Sequence, residues 1–284
     1  MIPGVFARAR SESFRRTRSA AYYQCHEPMS IERIKAPSLA TFQREFQNRA
    51  RPVILTGLMD DWPARSWTLD VLRERYGHRR VTAVRTRDGQ VVHGARDGIP
   101  YHSILFGEYL DMLESETLPS YYMVFPISEV LPELMREFVL PEYCRDAAWS
   151  RARFWLSAAN TGSPLHRDPP DNLYAQIFGR KRFVLFAPEE SRNLYPHAMW
   201  SGLPDFSRAD ATRPDYGRFP RMRDARRIEC EVGAGEVLYL PRYWWHQVTS
   251  LEQSASVSLW WAQGARAALA YAGQAFTKLR RLSL

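Results

Sequence analysis

Two stretches of sequence decide the fold, Ser163-Pro-Leu-His-Arg-Asp168 and Asn172-Leu-Tyr-Ala-Gln-Ile-Phe-Gly-Arg-Lys-Arg-Phe-Val-Leu-Phe186. The second, with Ala187 that follows it, covers two short runs rich in aliphatic and aromatic residues, 173–178 and 181–187, with Gly179-Arg180 between them. Apolar runs of this length, bounded by turn residues, are typical of β-strands rather than helices. This part of the chain therefore predicts two neighbouring strands.

Similar short runs recur on both sides of these strands. Further strands are predicted at 51–57, 120–126, 153–160, 236–240 and 254–261, with a hairpin over 79–94 around Asp88-Gly89. Helices are predicted at 68–76, where Thr68 can cap the first turn, and at 103–114. Many short strands without long helices between them favour an antiparallel barrel or jelly roll. The predicted fold class is mainly β with flanking helices.

Length and composition are consistent with one large domain between two different ends. The chain has 284 residues, of which 45% are apolar, so it can bury a sizeable core. Residues 1–30 are predicted to be a basic, poorly structured segment, 31–263 the domain, and 264–284 a basic amphipathic helix. A polar insertion at 188–228 interrupts the strands, and loops of that length are usually functional or mobile.

The positive charge lies at the two ends. The formal net charge is +8, of which residues 1–20 and 265–284 contribute +4 each, so residues 21–264 are formally neutral. A neutral body argues against a nucleic-acid groove built into the fold. The ends would allow weak attraction to polyanions or an anionic membrane, although solvated surface arginines are the simpler interpretation.

The cysteines and the apolar runs bear on location. Cys25, Cys144 and Cys230 are odd in number and widely spaced, which disfavours a disulfide framework and fits a reducing compartment. No apolar run reaches the roughly 20 residues that span a bilayer, and the N-terminus lacks the apolar region of a secretory signal. A cytoplasmic location is therefore predicted.

Two histidines and one aspartate form the candidate chemical site. His166 and Asp168 are two residues apart, so on a strand they would project from the same face. His246 follows the strand-like run Gly235-Glu-Val-Leu-Tyr-Leu-Pro241. Two His and one carboxylate on one face of an octahedral metal leave three positions open, which suits iron(II) that activates oxygen. Zinc, manganese and nickel also accept these ligands, and a pair of hydrogen-bonded core histidines is the alternative without a metal.

Lys181 lies fifteen residues after His166, in an otherwise apolar strand. Strand alternation puts Lys181 and Arg182 on opposite faces. A lysine that points into a barrel is costly unless it meets an anion. Lys181 therefore either holds an anionic ligand near the metal or faces solvent.

These stretches together resemble the JmjC/cupin-like (cupin 8) family of iron(II)- and 2-oxoglutarate-dependent oxygenases. The resemblance extends over about 31–263. Within the family, this sequence is similar to the asparaginyl-hydroxylase branch and its bacterial relatives. Further motifs that carry the resemblance are Arg51-Pro-Val-Ile-Leu-Thr-Gly57, Trp62-Pro63, Leu194-Tyr-Pro196 and Gly235-Glu-Val-Leu-Tyr-Leu-Pro-Arg-Tyr-Trp-Trp-His246. The resemblance implies a double-stranded β-helix of the cupin/JmjC type.

The resemblance also implies roles for single residues. His166, Asp168 and His246 would bind Fe(II), and Lys181 would pair with the distal carboxylate of 2-oxoglutarate. Other residues implied near the cosubstrate are Ser163, Asn172, Tyr122, Ser258 and Trp260. Ser163 and Ser258 stand where relatives commonly carry Thr and Asn, so details of cosubstrate contact differ from the family pattern.

The implied reaction is hydroxylation of an unactivated C–H bond, with 2-oxoglutarate and O2 as cosubstrates. The leading substrate is a protein or peptide side chain, and the runner-up is a small molecule such as an amino acid, a natural product or a lipid-linked compound. Oxygenation of a tRNA base and demethylation of N-methyl-lysine use the same chemistry. A non-catalytic metal-binding cupin is the alternative from another class. The C-terminal helix would offer a homodimer surface, as in relatives, or would pack on its own barrel or a membrane.

Overall fold

The computed structural model describes residues 30–87, 89–91, 101–115, 121–147 and 149–263. The predicted N-terminal segment, apart from Ser30, and the predicted C-terminal helix lie outside these ranges. The dimer and polyanion contacts predicted for the two ends therefore stay predictions. Within these ranges no helix is long and apolar enough to cross a bilayer. Cys144 and Cys230 are buried free thiols, and the cytoplasmic location stays a prediction.

Fourteen strands are described, most of them short. They are β1 (Arg33–Lys35), β2 (Val53–Thr56), β3 (Arg80–Arg87), β4 (Gln90–Val91), β5 (Tyr101–Leu105), β6 (Tyr121–Pro126), β7 (Trp149–Ser157), β8 (Gly162–Arg167), β9 (Asp171–Phe178), β10 (Lys181–Phe186), β11 (Ile228–Val232), β12 (Val237–Leu240), β13 (Trp245–Ser250) and β14 (Ser254–Ala262). The predicted strands at 51–57, 120–126, 153–160, 173–178, 181–187, 236–240 and 254–261 all coincide with members of this set.

The helices are short and lie mostly before β7. The α-helices are α1 (Leu39–Phe42), α2 (Leu69–Tyr76), α3 (Phe106–Glu114), α4 (Ile127–Val130) and α5 (Glu142–Arg145), a π-helix covers Gln43–Gln47, and 3-10 helices cover Pro63–Ser66, Pro132–Arg136, Pro188–Asn193 and Pro220–Asp224. As predicted, the Thr68 side chain caps α2 by accepting from the backbone N–H of Val71.

The strands form two sheets that share β3, which is the arrangement expected of a jelly roll. The larger sheet runs β1-β2-β12-β9-β14-β7-β6-β3, with β5 also paired to β3, and the smaller runs β4-β8-β13-β10-β11. Most pairs are antiparallel, and β3 joins the two sheets by pairing with β6 on one side and β4 on the other. The predicted double-stranded β-helix with flanking helices is therefore confirmed.

The helix predicted over 103–114 is wrong for its first three residues, 103–105. They belong to β5, and α3 begins only at Phe106. β5 pairs antiparallel with β3 from Leu105 opposite Arg80 to Tyr101 opposite Val84. The local sequence is compatible with a helix, but hydrogen bonds to a distant strand stabilise the extended form, and such pairings are invisible to local patterns.

Three apolar clusters pack the two faces of the larger and smaller sheets. One packs the helices on the outer face of the larger sheet, and a second, which includes Phe183, Leu185 and Leu238, lies between the sheets. The third packs the insertion at 188–228 onto the outer face of the smaller sheet, where Leu194 and Phe219 meet Val184 and Trp245. Because the insertion has its own buried side chains, it is a packed element of the fold.

Candidate metal centre

His166 and His246 lie side by side on neighbouring strands of the smaller sheet. They are register partners in the pairing of β8 with β13, and their rings are 4.2 Å apart between centroids. β8 ends at Arg167, so Asp168 lies one residue beyond the strand on which the sequence predicted it. Asp168 Oδ2 is nevertheless 3.8 Å from His246 Nε2. One ligand atom from each of the three residues lies within 4.8 Å of the others.

Backbone carbonyls orient both imidazoles. His166 Nδ1 contacts the Pro164 carbonyl oxygen at 2.8 Å, and His246 Nδ1 contacts the Trp244 carbonyl oxygen at 3.0 Å. A carbonyl only accepts, so Nδ1 carries the proton and Nε2 of each ring keeps its lone pair. Burial, and then the neighbouring His166, lower the pKa of His246 to about 4, so its ring is neutral near pH 7. Two imidazoles that present Nε2 beside a carboxylate are the donor set that a divalent transition metal needs.

The 188–228 insertion reaches this cluster through Phe206. The Phe206 ring stacks on His166 with centroids 5.3 Å apart, and the two residues form an isolated β-bridge. Next to it, Asp205 accepts from Arg167 Nε at 2.9 Å. The insertion therefore holds the end of β8 that carries the candidate ligands.

A cavity of about 180 Å³ opens beside the three ligand residues. It is lined by His166, Asp168 and His246 together with five of the predicted cosubstrate residues, namely Ser163, Asn172, Tyr122, Ser258 and Trp260. The structure thus brings these eight residues to one site. Ser163 is half-buried, whereas Tyr122, Asn172 and Ser258 are buried.

Lys181 is fully buried and lies behind Tyr122 and Tyr174, two residues that line the cavity. Its Nζ donates to Tyr174 Oη at 2.8 Å, to Tyr122 Oη at 3.2 Å and to Ser256 Oγ at 3.3 Å. Burial lowers the pKa of this amine to about 7. Among the described residues no carboxylate lies within ion-pair distance of it. Of the two alternatives for Lys181, inward or facing solvent, the structure has the inward one. Its amine lies in a shell of hydroxyl groups.

Two residues of the cavity wall carry buried polar atoms without hydrogen-bond partners in the described ranges. Asn172 Oδ1 and Trp260 Nε1 are buried, with no hydrogen-bond partner among the described residues. Asn172 and Trp260 are register partners on β9 and β14, so these atoms come from the same part of the wall. Ser258 differs, because its hydroxyl already accepts from Trp155 Nε1 at 2.9 Å. Orphaned buried polar atoms of this kind point to a polar ligand.

Some residues of the site were missed in the sequence. Tyr174 and Ser256 bind the Lys181 amine, Trp155 and Arg153 line the cavity from β7, and Phe206 covers His166. Alternation from Ser258 and from Asn172 would have found Ser256 and Tyr174, since residues two apart share a face. Phe206 comes from an irregular segment, where no periodic signal exists.

Comparison with known families matches residues 39–266 to the family described as "Cupin-like domain". The chain belongs to this family. Its JmjC-domain members typically are iron(II)- and 2-oxoglutarate-dependent oxygenases, and the predicted resemblance is therefore confirmed. The cupin-like chain offers the donor set that iron(II) requires, since both Nε2 atoms and the Asp168 carboxylate converge.

Three curated relatives illustrate the kinds of protein to which this cupin-like chain is similar. It is 33% identical to lysine-specific demethylase 8 of Danio rerio, over 82% of this chain and 58% of the relative. It is 30% identical to lysine-specific demethylase JMJ30 of Arabidopsis thaliana, over 83% of this chain and 55% of the relative. It is 26% identical to tRNA wybutosine-synthesizing protein 5 of Danio rerio, over 84% of this chain and 76% of the relative. The match thus covers little more than half the length of the two demethylases.

Proposed function

We propose that this cupin-like protein is an iron(II)- and 2-oxoglutarate-dependent dioxygenase that hydroxylates an unactivated C–H bond in a protein or peptide side chain. The observation that carries the proposal is a single cavity with two unlike ends. One end has a His-Asp-His cluster with free Nε2 atoms. At the other end, Tyr122 and Tyr174 line the wall and bind the fully buried Lys181 amine, which no carboxylate of the described chain neutralises.

The division of work follows from these two ends. Iron(II) bound with 2-oxoglutarate supplies the oxidising chemistry, in which the keto acid and O2 yield succinate and CO2 while the substrate C–H becomes C–OH. His166, Asp168 and His246 would hold the metal. Lys181 would hold the far carboxylate of the keto acid, with Tyr122 and Tyr174 as further donors. The aromatic wall, including Trp155 and Phe206, would keep water from the reacting groups.

A macromolecular substrate is supported by the surface of the insertion. Met199 and Trp200 are 75% and 90% exposed. They lie in a loop that is closed where His197 N–H donates to the Phe206 carbonyl, and Phe206 itself lines the cavity. Exposed large apolar side chains, here in a loop whose base lines the cavity, are typical of a surface that binds a polypeptide. A small-molecule substrate remains the alternative, and it would not need them.

Demethylation is the second candidate, favoured by the names of the demethylase relatives. A methylated lysine is cationic, and the cavity already contains the guanidinium of Arg153. Two like charges in one partly dehydrated cavity repel each other. Hydroxylation of a substrate that is not cationic is therefore the better fit to this cavity.

The test is formation of succinate from 2-oxoglutarate by the purified full chain with iron(II) and oxygen. Incubation with peptide pools or cell extract follows, read by mass spectrometry. We expect succinate to require iron(II) and a substrate to gain the mass of one oxygen. Release of formaldehyde instead would establish demethylation. Iron-loaded protein that forms no succinate under any of these conditions would establish a non-catalytic metal-binding cupin.

The pH dependence of cosubstrate binding gives a second test. With a pKa of about 7, Lys181 is mostly neutral above pH 7 in the free protein, so binding the 2-oxoglutarate dianion there must take up a proton. We expect the affinity to fall as pH rises, approaching tenfold per pH unit above about pH 7. Calorimetry on manganese(II)-loaded protein between pH 6 and 9 measures it. An affinity that is constant from pH 7 to 9 would contradict the assignment of Lys181.

A further inference from the structure

Arg153 faces the cavity without an ionic partner. It is the register partner of Ser258, whose side chain also lines the cavity, and the two therefore share the inner face of the larger sheet. Its Nε is buried and has no hydrogen-bond partner in the part of the chain that the structure describes. Among the described residues no carboxylate lies within ion-pair distance of the guanidinium. The guanidinium lies over the ring of Trp260, whose centroid is 5.2 Å from Arg153 Cζ.

Two neighbouring arginines, unlike Arg153, form ion pairs with carboxylates. Arg151, two residues earlier on β7, pairs with Glu129 at 3.1 Å. Arg167, beside the candidate ligands, pairs with Asp205 at 2.9 Å. A guanidinium stays charged at any ordinary pH, so a half-buried one without an anion carries an uncompensated desolvation cost. The arrangement of Arg153 is the one expected of a side chain whose partner is a ligand.

The Arg153 position is separate from the Lys181 end of the site. Trp155 pairs with Ser256, which contacts Lys181, whereas Arg153 pairs with Ser258. Two residues along a strand correspond to about 6.6 Å. Exposure rises in the same direction, because Ser256 is fully buried while Trp260 is partly exposed. Arg153 therefore lies nearer to the mouth, on the side from which a substrate enters.

We propose that Arg153 binds a carboxylate of the substrate, and that the substrate is a peptide with an aspartate or glutamate at or beside the hydroxylated residue. This proposal rests on the proposed function. The planar guanidinium can donate two parallel hydrogen bonds to a carboxylate. The Trp260 ring lies against the guanidinium, with its centroid 5.2 Å from Arg153 Cζ, and would hold it flat. Among the described residues, the buried Nε1 of Trp260 has no hydrogen-bond partner.

The experiment uses full-length protein loaded with manganese(II) and 2-oxoglutarate in the absence of oxygen, so that binding is measured without turnover. The immobilised protein is exposed to two peptide pools with blocked ends, one with Asp or Glu at a fixed position and one with Asn or Gln there. A third pool has free carboxyl termini but no acidic side chain. Bound peptides are counted by mass spectrometry.

We expect wild-type protein to retain the acidic pool about 10- to 100-fold better than the amide pool, as expected for a charge-assisted hydrogen bond. Arg153→Gln should lose this preference, and Arg153→Lys should keep part of it. Arg182→Gln is the matched control, since it removes one positive charge from the exposed face of β10. It should keep the full preference. Melting temperatures establish that each variant is folded.

Three results would overturn the proposal. Wild-type protein could retain both blocked pools equally, or prefer the pool with free carboxyl termini, in which case Arg153 does not read an acidic side chain. Arg153→Gln could lose 2-oxoglutarate itself, which would place Arg153 in the cosubstrate site. Because the measurement needs no turnover, it is independent of the succinate assay, and absence of succinate with an intact acidic preference would refute only the proposed reaction.

Discussion

Replacing Asp168 with alanine should abolish succinate formation and lower iron(II) affinity, while the fold persists. The carboxylate is the only acidic member of the candidate ligand set, and it lies 3.8 Å from His246 Nε2. A bound metal contributes several kcal/mol of catalysis, and each 1.36 kcal/mol is a factor of ten. We therefore expect a loss of about a thousandfold or more in turnover of 2-oxoglutarate, and His166→Ala should behave in the same way.

Metal content, measured beside turnover, separates loss of the ligand from loss of the fold. The Asp168→Ala protein should melt close to the wild-type apoprotein, because Asp168 is held mainly through its backbone carbonyl, which accepts from Tyr243 N–H at 2.7 Å. Asp61→Ala, an exposed turn position, serves as the control and should keep full activity. Wild-type iron content with full activity in Asp168→Ala would refute the assignment of the metal centre.

Replacing Lys181 with methionine should lower 2-oxoglutarate affinity by about a hundredfold or more and leave metal binding intact. Methionine keeps most of the volume of the buried side chain but removes the charge. Removing one partner of a buried ion pair costs about 3–5 kcal/mol, which sets the size of the effect. In the ligand-free protein the variant should still fold, because relief from burying the amine offsets the loss of its hydrogen bonds to Tyr174, Tyr122 and Ser256.

Thermal protection by 2-oxoglutarate, with manganese(II) present, is the simplest measurement for this variant. Arg182→Met is the matched control, since Arg182 is the next residue on β10, faces solvent and pairs with Glu231. It should be protected as well as wild type. Equal protection of Lys181→Met would show that the cosubstrate carboxylate binds elsewhere, and Arg153 would then be the first residue to test.

Local sequence patterns predicted the parts of the site that alternate along one strand. Lys181 and Arg182 show this most directly, because one is fully buried and the other exposed. The strand runs themselves were recognisable because each is apolar and bounded by turn residues. The strand prediction was wrong for Asp168, which lies just beyond β8, yet the side chain still reaches the other two ligands.

Contacts between distant strands could not be predicted in the same way. Ser256 meets Lys181 only because β14 pairs with β9 in one register, which includes a shift between Ala255 and Ser256. A shift of one residue would turn Ser256 away from the site. The segment 103–105 is extended for a similar reason, since its partner β3 lies about twenty residues earlier. Phe206 depends on the whole packing of the insertion.

On the inner face of β14 two buried serines, Ser256 and Ser258, are followed toward the surface by the large side chain of Trp260. A molecule that reaches the Lys181 amine must first pass Trp260 and Arg153, which is where a substrate would lie. We therefore expect ordered loading, with the keto acid first and the substrate second. Succinate would then leave after the product, and release of the product would limit the rate of the cycle.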